Sequence, residues 1–115
     1  MESILLSIKK LLGPSGSYDN FDADIVMHIN TVLADLTQIG IGPKEGFIIK
    51  DEDACWSDFI ADSKILQSVK SYMYLRVKLL FDNSTLSAAV ITSMERQIEK
   101  FEWRLSVAGD MTNTQ

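Results

Sequence analysis

The chain is short of the residues from which reactive sites are usually built: 115 residues contain one cysteine and one histidine. Cys55 cannot form an internal disulfide, and one thiol with one histidine cannot close a structural zinc site, which needs several such ligands. No apolar run approaches the ~18–20 residues of a membrane helix. Positive charge is also scarce, with 11 Lys and Arg against 16 Asp and Glu and a net charge of −5. That balance argues against a protein that holds nucleic acid by neutralising phosphates. The first residues, MESILLSIKKLLG, place their lysines after the apolar positions and lack a small-residue cleavage site, unlike a secretory signal. These absences together predict a soluble chain that stays in the cytoplasm.

What is present is ordinary globular material. Hydrophobic residues make up 46% and charged residues 23%, enough for one core at this length and too little for two. Residues 1–108 are expected to form a single helical domain, and 109–115 a polar, flexible tail. The fold class predicted is mainly α: a four-helix bundle-like domain with a small β-hairpin or extended loop between the second and third helices.

The first helix spans roughly Glu2 to Leu12, with Ile4, Ile8, Leu11 and Leu12 on one face, and stops at Gly13-Pro14. The second runs from a cap at Asn20 or Asp22 to Gly40. Phe21, Ile25, Ile29, Val32, Leu33, Leu36 and Ile39 give it an apolar stripe at steps of three and four. The loop IGPKEG follows. Phe47 to Lys50, the acidic turn Asp51-Glu52-Asp53 and Ala54 to Trp56 then read as a hairpin, which must lean on the helices or on another subunit because two strands alone are marginal. A third helix extends from Asp62 or Ser63 to about Phe81. Asp82-Asn83-Ser84 breaks it and caps the fourth, Thr85 to Val107.

No group of residues forms a catalytic motif. His28 sits at the edge of the apolar stripe with Asp24 four residues before it, so a locally paired boundary histidine accounts for it better than a general base. Cys55 is expected to be a buried, inert thiol, since no cation nearby in sequence would lower its pKa. The acidic trio lacks the alternating ligands and the glycine of an EF-hand loop, and IGPKEG lacks a phosphate-binding pattern. No catalytic residue, cofactor or metal ligand is therefore assigned.

The third helix points Lys64, Lys70, Arg76 and Lys78 in separate directions, unlike a DNA-recognition face. Arg76 falls in the middle of its apolar face. It is either a snorkelling side chain whose stem covers apolar surface or one half of an ion pair across a helix or subunit contact.

The fourth helix is the most informative. Ile91, Met94, Ile98, Phe101 and Leu105 form a narrow seam of coiled-coil type. Glu95, Glu99 and Glu102 form an acidic stripe, and Arg96, Lys100 and Arg104 a basic one. Trp103 lies between the stripes, about 160° from the seam, with Val107 and Thr92 on its side. Either the helix packs on two sides within its own fold, or Trp103 anchors a subunit contact, where tryptophan and arginine are over-represented.

Several segments carry a resemblance: MHINTVLADLTQIGIGPKEGF and WSDF within Asp22 to Ile60, KSYMYLRVKLLFDNS in the third helix, and QIEKFEWRLSVA in the fourth. In their order and spacing, over about Met1 to Ala108, they resemble the tailed-phage head–tail connector family, also described as neck adaptor or head-completion proteins. The chain departs at Phe81 to Ser84, where prolines would follow the aspartate, leaving a less rigid bend. The resemblance implies a virion protein, assembled in the host cytoplasm. It further implies a homo-oligomeric ring, commonly twelvefold, that binds the portal, extends the DNA channel and docks the next neck or tail-completion protein. DNA would pass without sequence-specific binding, and no membrane is involved. The interface candidates are Trp103, Val107, the two stripes of the fourth helix, Arg76, the loop residues Pro43, Lys44 and Glu45, and Phe47 and Trp56 of the hairpin. One rival is a small helical DNA-binding protein, either a regulator or of the terminase small subunit type, which would require a basic helix face. A second is a helical-bundle enzyme, which would require clustered carboxylates and histidines.

Overall fold

In the computed structural model, which describes residues 2–16 and 19–113, five α-helices pack without a sheet. Helix α1 covers Ile4–Leu12 and is capped by Ser3, whose Oγ accepts from the Leu6 amide at 3.2 Å. It buries Ile4, Leu5, Ile8 and Leu12. Leu11, expected on this face, instead points outward at 53% exposure.

Helix α2 covers Asp22–Gln38 and buries Ile25, Ile29, Val32, Leu33 and Leu36, the centre of the predicted stripe. Neither Asn20 nor Asp22 caps it. Phe21 holds that position without a side-chain hydrogen bond, and Asp22 and Asp24 contribute charge to the first turn instead. The far end closes as a Schellman motif. Gly40 takes φ 89°, its amide donates to Thr37 O, and that of Ile41 donates to Leu36 O. Ile41 is thereby tucked against the core.

The expected hairpin does not form. Its two arms each find a different partner. The backbone of Ile49 is clamped by one side chain of α2: Asn30 Oδ1 accepts from the Ile49 amide at 2.8 Å, and Asn30 Nδ2 donates to the Ile49 carbonyl at 3.0 Å. The other arm pairs with the chain's start, through Ile4 N–H to Ala54 O at 3.0 Å and Trp56 N–H to Glu2 O at 3.1 Å. Between them, Asp51 Oδ1 accepts from the Asp53 amide and turns the chain. Trp56 begins a one-turn helix, α3 (Trp56–Phe59), in which Asp58 accepts from the Cys55 amide.

Trp56 is 2% exposed, its Nε1–H donates to Ser7 Oγ at 3.1 Å, and Lys70 Nζ lies 5.8 Å from its ring centroid. It is a core residue, which removes it from the free surface of the chain. Phe47 is also partly buried, its ring 5.5 Å from that of Phe59. Gly42 is required here: its φ is 85°, and a Cβ would lie 2.4 Å from the Phe59 ring.

Helix α4 (Ser63–Asp82) starts at Asp62, whose carboxylate accepts from the Lys64 and Ile65 amides. It is the hub, touching α1, α2 and the last helix, and it buries Val69, Tyr72, Met73, Leu75 and Val77. A 3₁₀ turn at Asn83–Thr85 follows. The cap of helix α5 (Ala88–Asn113) is Ser87, not the Asp82–Ser84 segment: Ser87 Oγ accepts from the Val90 amide at 3.2 Å. Helix α5 runs through Gly109 to Asn113, beyond the end expected at Val107. Gly109 allows this, since a Cβ there would sit 1.9 Å from the Ile39 carbonyl oxygen at the end of α2.

The molecule measures 43 × 34 × 20 Å. Packed helices sit about 8–10 Å apart, so the short dimension holds two layers and leaves α5 an outer side.

Candidate subunit-contact surface

Helix α5 turns Met94, Ile98 and Leu105 inward against the rest of the fold. At about 100° per residue, Arg96, Trp103 and Val107 fall on the opposite side. Trp103 is 71% exposed and Val107 is also exposed. Packing of Trp103 within its own fold is thus ruled out in the free chain. Arg96, Glu99, Lys100 and Arg104 surround Trp103 in one shallow depression. Towards the helix start the same face narrows to Ala88, Ala89, Thr92 and Ser93, small side chains that let another backbone approach closely.

The electrostatics of this face differ from those elsewhere. In α1 and α4 four cations lie against carboxylates: Lys9 with Asp22 at 2.8 Å, Lys70 with Glu2, Arg76 with Asp35 at 2.8 Å, and Lys78 with Asp82 at 2.8 Å. Lys10 and Lys64 are exposed and form no ion pair among the described residues. Arg96 and Lys100 form no ion pair among the described residues, and Arg104 rests 5.7 Å from the ring of its own Phe101. Glu95 and Glu99 are exposed as well.

Arg76 resolves as a paired side chain. Its Nη2 donates to Asp35 of α2, and its Nη1 donates to the Tyr72 hydroxyl at 2.6 Å. Tyr72 in turn donates to Glu102 of α5 at 3.0 Å. This chain of hydrogen bonds links three helices. Burial opposes the Arg76 charge, but the hydrogen bond to Asp35, with Tyr72 beside it, holds its pKa above the usual value. Tyr72 is pushed up to about 12, first by burial and further by Glu102, against the opposing pull of Arg76. Arg76 and Glu102 thus do structural work inside the chain.

In the loop, Gly46 N–H donates to Pro43 O at 3.0 Å, forming a turn that presents Lys44 and Glu45 to solvent. His28 is half-buried, and no hydrogen bond or ion pair joins it to Asp24 among the described residues. Cys55 is also half-buried, its thiol directed at the Asp53 carbonyl. No helix among the described residues is long and apolar enough to cross a membrane.

One feature of the surface has no counterpart among the sequence-predicted residues. A groove of about 630 Å³ lies between α1, α2 and the turn at 50–52. Leu5, Leu6, Ala23 and Val26 line it, with Lys50, Asp51 and Glu52 on its rim. Leu6 is 47% exposed, and Ile48, two residues from the rim, is 68% exposed. The alternation of Ile48 and Ile49 in an extended segment would have signalled the outward Ile48. The groove itself joins three separate segments and has no local signature.

No curated protein and no solved structure gives a significant match to this sequence. The family model described as phage connector protein does match, over residues 4–112, and the chain belongs to this bacteriophage head–tail connector family.

Proposed function

We propose that the protein is a ring-forming subunit at the head–tail junction, seated beneath the portal, where it extends the DNA channel and docks the next neck or tail component. Family membership supports the location. The observation that carries a role in assembly is Trp103: a large aromatic at 71% exposure, opposite the buried side of its helix and ringed by Arg96, Glu99, Lys100 and Arg104. Such anchors stabilise protein contacts once water is excluded. The ring would be twelvefold, matching a portal, with α5 as one of its contact faces and the Pro43–Glu45 turn available to a neck partner.

The row Arg96, Lys100 and Arg104 on its own would suit a phosphate backbone, as a packaging protein of the terminase small subunit type requires. Glu99 within the same depression repels phosphate, and the net charge of −5 does the same at longer range. A mixed-sign face fits a protein partner better. The acidic chain also suits a conduit through which DNA slides without being held.

The test is electron microscopy of the protein mixed with portal-bearing capsids. A symmetric ring at one vertex, with a lumen not lined by lysine and arginine, is the expected result. No binding to any portal or neck component would remove the proposal.

A further inference from the structure

We infer that the Trp103 face of α5 in one copy seats in the acidic-rimmed groove between α1 and α2 of the next copy. This pairing presupposes the ring reading above and specifies which two surfaces meet.

The charges of the two surfaces are complementary. The α5 face offers Arg96, Lys100 and Arg104 with one carboxylate, Glu99, among them. The groove rim offers Asp51 and Glu52 with one cation, Lys50, among them, while Lys9 and Asp22 inside the groove neutralise each other at 2.8 Å. Each side therefore carries a minority charge that matches the other's: Lys50 for Glu99, and the two acids for the basic row. Glu52 and Lys50 are exposed, and among the described residues the Asp51 carboxylate is engaged by the nearby Asp53 amide alone.

The apolar parts match as well. Trp103 projects from its face, whereas the groove is concave, floored by Leu5, Leu6, Ala23 and Val26, with Leu6 and neighbouring Ile48 exposed. An aromatic that fills an apolar recess inside a polar rim is the usual form of a strong contact point.

The positions of the two surfaces in the fold set the symmetry. Helix α5 joins the rest of the molecule mainly through α4, while the groove belongs to α1, α2 and the turn after them. When one patch of each copy binds the other patch of the next copy, the contact is head-to-tail, and such a contact propagates around a ring when its rotation closes.

The test is a charge-swap cycle read by electron microscopy of rings on portal-bearing capsids, with circular dichroism to verify folding. Arg96→Glu with Lys100→Glu, and separately Asp51→Lys with Glu52→Lys, should each lower ring occupancy by about tenfold or more, because like charges then face each other. All four substitutions in one chain should restore occupancy, since every α5 would meet a groove of opposite sign. Where a swapped chain fails to fold, a second measurement decides. Two Cys55→Ser chains, one carrying Val107→Cys and the other Leu6→Cys, should cross-link when assembled together and not when either is assembled alone. Rings that survive either one-sided swap, no rescue by the combined swap, or no mixed cross-link would overturn the pairing while leaving the ring intact. Absence of rings from the unaltered protein would instead defeat the functional reading, and the pairing with it. Intact rings that lose hold of double-stranded DNA after the α5 swap would assign that face to DNA and overturn the inference.

Discussion

The two tryptophans of this chain have opposite surroundings. Trp56 is 2% exposed, hydrogen-bonded to Ser7 and overlain by Lys70; Trp103 is 71% exposed on the outer side of α5. Their neighbourhoods divide the same way. In the body formed by α1, α2 and α4, Lys9, Lys70, Arg76 and Lys78 rest against carboxylates and the core is buried. On the outer face of α5, Arg96 and Lys100 have no such partner among the described residues. The core of the body is closed within one chain, while the outer face of α5 and the groove at Leu6 leave apolar and charged groups exposed. Exposed charges contribute little to folding, and on the proposed reading those of α5 serve association instead.

The largest test of this division is Trp56→Ala. Removing a buried indole should cost about 3–5 kcal/mol, seen as a large drop in the denaturation midpoint. A small effect would mean that Trp56 is not in the core and would erase the contrast. Next is Gly109→Ala, where α5 touches the end of α2. Helix propensity alone would favour alanine by about 1 kcal/mol, but the collision with the Ile39 carbonyl should reverse the sign and destabilise by about 1–3 kcal/mol. A more stable variant would show that α5 does not close on α2 there.

A smaller effect is expected from Tyr72, which ties α5 to the body. With its pKa raised to about 12 in the folded chain against about 10 when unfolded, the neutral hydroxyl is favoured by folding. Its contribution is fully present below pH 10 and is lost as pH rises through about 12. Alkaline denaturation should therefore steepen over that window, and Tyr72→Phe should flatten it. An unchanged profile would mean that Tyr72 is not buried beside Glu102 in solution.

The helices were legible in the sequence wherever a single periodic pattern decided the outcome. The stripe from Ile25 to Leu36 predicted α2, and the seam through Met94, Ile98 and Leu105 predicted the inward side of α5; it placed Trp103 on the other side but left open whether a second packing contact covered it. The hairpin failed for a different reason. Phe47-Ile48-Ile49, an acidic turn and Ala-Cys-Trp satisfy every local sign of paired strands, but the backbone groups are bound by Asn30 and by Glu2–Ile4, both distant in sequence. Hydrogen bonds from a side chain to backbone substitute for a sheet without leaving a pattern. The partner of Arg76, Asp35, and the groove at Leu6 and Val26 were hidden for the same reason. Each joins residues that share no helix face.

The smallest effect on folding carries the most weight. Trp103→Ala should leave stability within about 0.5 kcal/mol of the unaltered chain, as expected for an exposed side chain, while ring occupancy at the portal vertex, counted by electron microscopy, falls sharply. Rings formed as fully by Trp103→Ala as by the unaltered protein would contradict the claim that the outer face of α5 is where subunits meet.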